Sequence, residues 1–166
     1  VNPWEWSSTV LGGIPIFNNG LDVPQYWNPP ADTTDLQDLT NWPEGVRAKV
    51  VRAFGPFLVA LNITDSGAFP HMFWWSHPTD PGAIPTSWDY TNPAFDAGRR
   101  ELTDVEGGEL LDGLMLRGNF IMYKENSTHT MRFIGGQNIF ATDLAFASSG
   151  ILATRCVAVV NKGQQH

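Results

Sequence analysis

Twelve prolines and sixteen glycines interrupt this chain along its whole length. An apolar stripe with the helical period therefore rarely has three turns in which to run. The best helical window, residues 140–147, is short. Strands need fewer uninterrupted residues, and four places share one design: an alternating apolar run, a turn carrying glycine, and a second run returning. The first is GIPIF-NNG-LDVPQYW, in which Asn19-Gly20 suits the positive φ of a hairpin turn. The second is VRAKVVRA-FGP-FLVALNI, with Val46, Ala48 and Val50 on one face and Arg47 and Lys49 on the other, followed by HMFWWSH at 71–77. The third is LLDGLML-RGN-FIMYKE, followed by HTMRF at 129–133. The fourth is RCVAVV-NKG, from Arg155 to Gly163, which has no return strand before His166.

The turn glycines Gly20, Gly55, Gly118 and Gly163 recur at the spacing of small sheet modules. The second and third units match further, each having an aromatic start to its second strand at Phe57 or Phe120 and a third apolar strand. This degenerate repeat predicts an all-β chain of antiparallel sheets arranged as blades of a β-propeller, with an irregular β-sandwich as the alternative. Closing a propeller takes at least ~4 blades. The expectation is therefore a single all-β segment, residues 1–166, belonging to a longer propeller-containing chain, with the last hairpin completed by further strands of that chain or by another chain.

Composition removes several function classes. A net charge of −7 and seventeen carboxylates against ten Lys and Arg oppose binding of nucleic acid by phosphate neutralisation. There is no run of ~18 apolar residues to span a membrane, nor a basic-then-apolar leader. Cys156, alone and inside an alternating run, reads as a buried strand residue. The acceptor patterns at Asn62 and Asn126 read as chance matches in loops.

The candidates for chemistry are carboxylates, histidines and tryptophans. Asp32, Asp35 and Asp38 recur every third residue, and Glu101, Asp104, Glu106, Glu109 and Asp112 crowd a glycine-containing stretch. A glycosidase needs two facing carboxylates, and calcium needs converging loop oxygens in a DxDxDG-like pattern. Neither cluster has these marks, so a solvated acidic loop is the preferred reading. His71 and His77 would lie ~20 Å apart along a strand, and His129 and His166 stand isolated, so no metal site is expected. No nucleophile elbow, phosphate loop or dinucleotide fingerprint occurs, so neither a catalytic set nor a cofactor is expected. Seven tryptophans, Trp4, Trp6, Trp27, Trp42, Trp74, Trp75 and Trp88, are many for this length. Adjacent Trp74 and Trp75 must point to opposite faces of a strand, which argues for a sheet packed on both sides. The proline-rich WSHPTDPGAIPTSWD, residues 75–89, reads as a stiff, ordered connector of the kind that builds contact surfaces.

The stretches NNGLDVPQYW, WSHP…P..W and LRGNFIMYKE…MRF, over nearly the whole chain, resemble a group of tailed-bacteriophage virion proteins encoded among the tail genes of short-tailed phages. The resemblance implies a structural, non-enzymatic part of the virion tail, the propeller-containing nozzle or hub through which DNA leaves. It also implies a longer chain, a homo-oligomeric ring, and other tail proteins as partners. On that reading Glu101, Asp104, Glu106, Glu109 and Asp112, or the acids at 32–38, face the channel, and phage DNA passes without specific binding. The rival is a carbohydrate-binding or glycan-cleaving propeller acting on host surface polysaccharide, with Trp27 and Trp88 as sugar-stacking platforms.

Overall fold

The structure, a computed structural model, describes residues 6–28, 35–136 and 138–158. Among these residues, twelve strands form three four-stranded antiparallel sheets. The first sheet holds β1 (Ser7–Leu11), β2 (Ile14–Asn18), β3 (Gln25–Tyr26) and β4 (Gln37–Asp38). The second holds β5 (Arg47–Phe54), β6 (Phe57–Thr64), β7 (Ala68–Trp75) and β8 (Gly98–Glu101). The third holds β9 (Leu110–Leu116), β10 (Asn119–Lys124), β11 (Thr128–Phe133) and β12 (Phe140–Phe146). In each sheet the strands pair in chain order, each with the next.

The second sheet is the middle layer, because both of its faces are buried. Phe57, Val59 and Leu61 of β6 join Phe120, Met122, Met131 and Phe140 of the third sheet in one core. Leu58 and Ala60, between them in sequence, join Leu11 and Ile16 of the first sheet in another. A strand covered on both faces needs a continuous apolar run, and FLVAL supplies one. Its Phe, Leu and Val side chains each contribute about 1.5–3 kcal/mol on full burial. Trp74 belongs to the core against the first sheet and Trp75 to the core against the third, as strand alternation predicts.

That alternation inverts at Asn62. Leu61 faces the third sheet whereas Ile63, two residues on, faces the first. Asn62 between them has φ +57°, and the β6–β7 register shifts at this point. Asparagine tolerates the left-handed region better than most residues, so it carries the irregularity at low cost. Asn62 is thus a strand residue, not the loop position that its acceptor pattern suggested.

Four further expectations change. Residues 140–147 do not form a helix: Phe140–Phe146 is β12, paired with β11, whose free edge offers ladder partners that outweigh local propensity. The first hairpin closes through Gly12 and Gly13, with φ +55° and +95°, and joins β1 to β2. The hairpin read at Asn19-Gly20 follows it, β2 pairing with β3 around a loop in which Gly20 has φ +77° and Asn19 Oδ1 accepts from the amides of Leu21 and Asp22, but its returning strand is only Gln25–Tyr26. Residues 155–158 are not a strand, and Cys156 is exposed rather than buried. No strand among the described residues pairs with this segment, and the Asn161-Lys162-Gly163 turn lies outside them. No described helix is long and apolar enough to cross a membrane.

The outer faces of the first and third sheets carry apolar side chains. Register places Leu114, Leu116, Ile121 and Tyr123 opposite the buried Phe120 and Met122; Leu116 is 49% exposed. On the first sheet Val10, Pro15 and Phe17 lie opposite Leu11, Ile14 and Ile16, and Val10 is 61% exposed.

Candidate functional site at the first strands

The leading strands β1, β5 and β9 lie side by side, and their contacts keep a constant offset in sequence. The amides of Val51 and Ala53, on the edge of β5 that does not pair with β6, donate to Ser7 Oγ (3.2 Å) and Thr9 Oγ1 (2.9 Å). Arg52 Nη1 donates to Ser8 O at 2.8 Å. All three contacts span 44 residues, so β1 and β5 run parallel. Lys49 Nζ donates to Glu109 Oε1 at 2.7 Å and Arg52 Nε to Asp112 Oδ1 at 2.8 Å, both spanning 60 residues, so β5 and β9 run parallel as well. Side chains thus satisfy edge groups that would otherwise be open to pairing.

The series has a further member. Thr154 Oγ1 donates to Leu111 O (2.9 Å) and the Arg155 amide to Asp112 Oδ2 (2.9 Å), both spanning 43 residues. Ser8, Arg52, Asp112 and Arg155 therefore form one line of contacts across the leading edge, one residue from each sheet and one from the segment that follows β12.

The charges that β5 and the start of β9 bring to this line are paired. Asp112 is wholly buried, and takes two parallel bonds from Arg52 and one from its neighbour Gly113. Burial alone would raise the Glu109 carboxyl, but the hydrogen bonds from Lys49 and Asn62 outweigh it, with help from the Lys49 charge, and hold it below the ordinary range. A hollow of about 300 Å³ beside the line is lined by Lys49, Asn62, Glu109, Thr154 and the Asn19–Leu21 turn.

The structure does not bring the five acids of residues 101–112 together. Glu109 and Asp112 lie on the leading edge, whereas Glu101 is exposed on β8, the opposite edge of the second sheet. Glu106 is exposed in the 3₁₀ turn Val105–Gly107. Asp104 caps that turn and is the hub of an inward network: its Oδ2 accepts from Ser127 Oγ (2.5 Å) and contacts His129 Nε2 (3.2 Å), and its carbonyl accepts from the fully buried Lys124. The Ser127 hydroxyl is the main cause that holds the Asp104 carboxyl below its usual value. Burial pushes the Lys124 ammonium down, against the opposing charge of Asp104. His129, isolated in sequence, is therefore a member of a network that pairing of distant strands assembles. Asp35 and Asp38 are exposed; Asp32 lies outside the described residues.

The two tryptophans of the sugar-stacking reading differ. Trp27 is 38% exposed, whereas Trp88 is 3% exposed and packs edge-on against Trp42, ring centroids 4.7 Å apart. No sugar ring can lie on Trp88 in this arrangement. Trp4 and His166 lie outside the described residues. Among the described residues no group of three or more His, Cys, Asp or Glu is placed to hold a metal ion. Compared with protein-family models and with curated proteins, the chain matches none.

Proposed function

We propose that this chain is a mechanical component of a phage virion tail, in which its three sheets serve as successive blades of a β-propeller within the nozzle or hub. The observation that carries this reading is the line Ser8–Arg52–Asp112–Arg155. Parallel leading strands, one per four-stranded meander, side by side at a common edge, are the arrangement of strands around a propeller axis. The Arg155 amide donates to the Asp112 side chain as the Val51 amide donates to that of Ser7, which suits the start of a fourth sheet. The apolar outer faces of the first and third sheets are then the surfaces that further blades cover.

In this reading the leading edge faces the axis. Its ion pairs occupy Lys49 and Arg52, and the acidic chain as a whole repels phosphate, so DNA passes without being held. Copies related by one repeated interface form the ring, and other tail proteins adjoin it. Immunogold electron microscopy of short-tailed phage particles carrying the chain tests the assignment. Label at the tail axis is expected; label on the capsid, or particles that lack the chain, would overturn it.

A further inference from the structure

The proline-rich connector between β7 and β8, residues 76–97, does more than join two strands. It is fixed at several points: Ser76 N to Leu58 O (3.0 Å), Thr79 N to Pro56 O (2.9 Å) and Gly82 N to Gly12 O (2.7 Å). Its far end is held by the Trp75 indole on Asp96 O (2.8 Å) and by the Asp96 amide on His77 Nδ1 (3.0 Å). Anchored in this way to the hairpins of two sheets, the connector is pre-organised, which removes much of the ordering cost of binding.

Its second half builds two hollows, about 380 Å³ and about 620 Å³, that share Tyr90 and Phe95 in their walls. Both volumes lie in the range of about 300–1,000 Å³ usual for ligand sites. Tyr90 is 40% exposed and held from behind: the Arg99 guanidinium sits 4.0 Å from its ring centroid, and Trp74 packs edge-on at 5.5 Å. Acceptors line the larger hollow, with Glu44, Asp65 and Asp89, and the donors Arg99 and Arg100 line the smaller together with Asp96.

We propose that the two hollows act as one cleft that binds a neutral oligosaccharide, one sugar ring lying on Tyr90 and the flanking hydroxyls bonding to the carboxylates on one side and the guanidinium groups on the other. The electron-rich face of an aromatic ring attracts the polarised C–H groups of a sugar. A ring with an apolar face and hydroxyls around its rim matches an aromatic ridge bordered by acceptors and donors. A nucleic acid would meet the three carboxylates of the larger hollow, and a lipid chain would meet polar walls.

The test is a glycan array of hexose, N-acetylhexosamine and deoxyhexose oligosaccharides, followed by calorimetry on the glycans that bind. Wild type, Tyr90→Phe and Trp27→Ala should bind alike, and Tyr90→Ala should lose about tenfold or more in affinity. Arg99→Ala, which removes the support behind the ring, should weaken binding several-fold, and it tests the cleft independently if Tyr90→Ala misfolds by circular dichroism. Absence of any glycan bound by wild type, binding that survives both cleft variants, or binding lost in Trp27→Ala would each overturn the proposal. None of these outcomes depends on the ring assembly.

Discussion

Arg52 and Asp112, 60 residues apart in sequence, meet through two parallel hydrogen bonds of 2.8 and 3.0 Å. Asp112 has no exposed side-chain surface, and Arg52 also reaches Ser8 O on the first sheet. One guanidinium thus ties all three sheets together at their leading edge.

Removal of that tie strands a buried carboxylate. We predict that Arg52→Ala destabilises the chain by about 3–5 kcal/mol, measured from urea midpoints at constant slope. Arg52→Lys keeps the charge but not the planar fork, so it should recover only part of the loss. An effect below about 1 kcal/mol for Arg52→Ala would mean that the sheets are held by apolar packing alone.

The Asp104 hub gives a pH dependence whose sign is fixed. Its carboxyl is held below the unfolded value of about 3.9, first by the Ser127 hydroxyl and further by His129 and Lys124. The stabilisation is therefore full above the unfolded pKa and is lost as pH falls through the folded one. Glu109, also lowered, acts in the same direction. Urea midpoints of wild type should stay level from near neutrality down to about pH 5 and fall below about pH 4. Asp104→Asn should start lower, because buried Lys124 loses its counter-charge, and should fall less steeply. Equal slopes in the two proteins would remove Asp104 from the account.

Much of the fold was legible from local pattern. The run FLVALNI announced a returning strand, Trp74-Trp75 announced a sheet packed on both sides, and Gly55 and Gly118 marked two of the hairpins. Strand β1 was missed because Ser7, Ser8 and Thr9 lack the apolar signal; their hydroxyls and carbonyl serve the edge of β5, which only the assembled sheets create. The Gly12-Gly13 pair was the clue available. Strand β12 was hidden because its partner edge, not its own residues, decides its conformation. The acids of 101–112 looked like one cluster, but chain proximity placed them on three different parts of the molecule. Their partners Lys49, Arg52, Lys124 and His129 come from strands whose neighbourhood no local window records.

Gly98 is fixed by contact, not by backbone freedom. A Cβ there would lie 2.2 Å from the Trp75 ring, which is itself packed against Phe140 at 5.3 Å. Gly98→Ala should cost about 1–3 kcal/mol through overpacking and shift the tryptophan emission, whereas Gly118→Ala should leave the emission unchanged. An unchanged midpoint for Gly98→Ala would show that β8 does not pack as closely as described.

Glu109→Gln removes the charge facing Lys49 but retains hydrogen-bonding capacity. If the leading edge faces a passing DNA, Lys49 then becomes a phosphate contact. DNA release from particles carrying this variant should slow and become salt-sensitive, with a slope of about one phosphate contact per copy. Release at the wild-type rate at every salt concentration would place the leading edge away from the DNA path.

The central claim is that the three sheets are blades around one axis lined by β1, β5 and β9. A high-resolution electron cryomicroscopy map of the assembled tail tests it most directly. The account predicts a closed ring of four-stranded sheets, with Arg52 and Asp112 facing the axis and further sheets covering Val10 on one side and Leu116 on the other. A map in which those two outer faces meet solvent, or in which the leading strands point away from the axis, would contradict it.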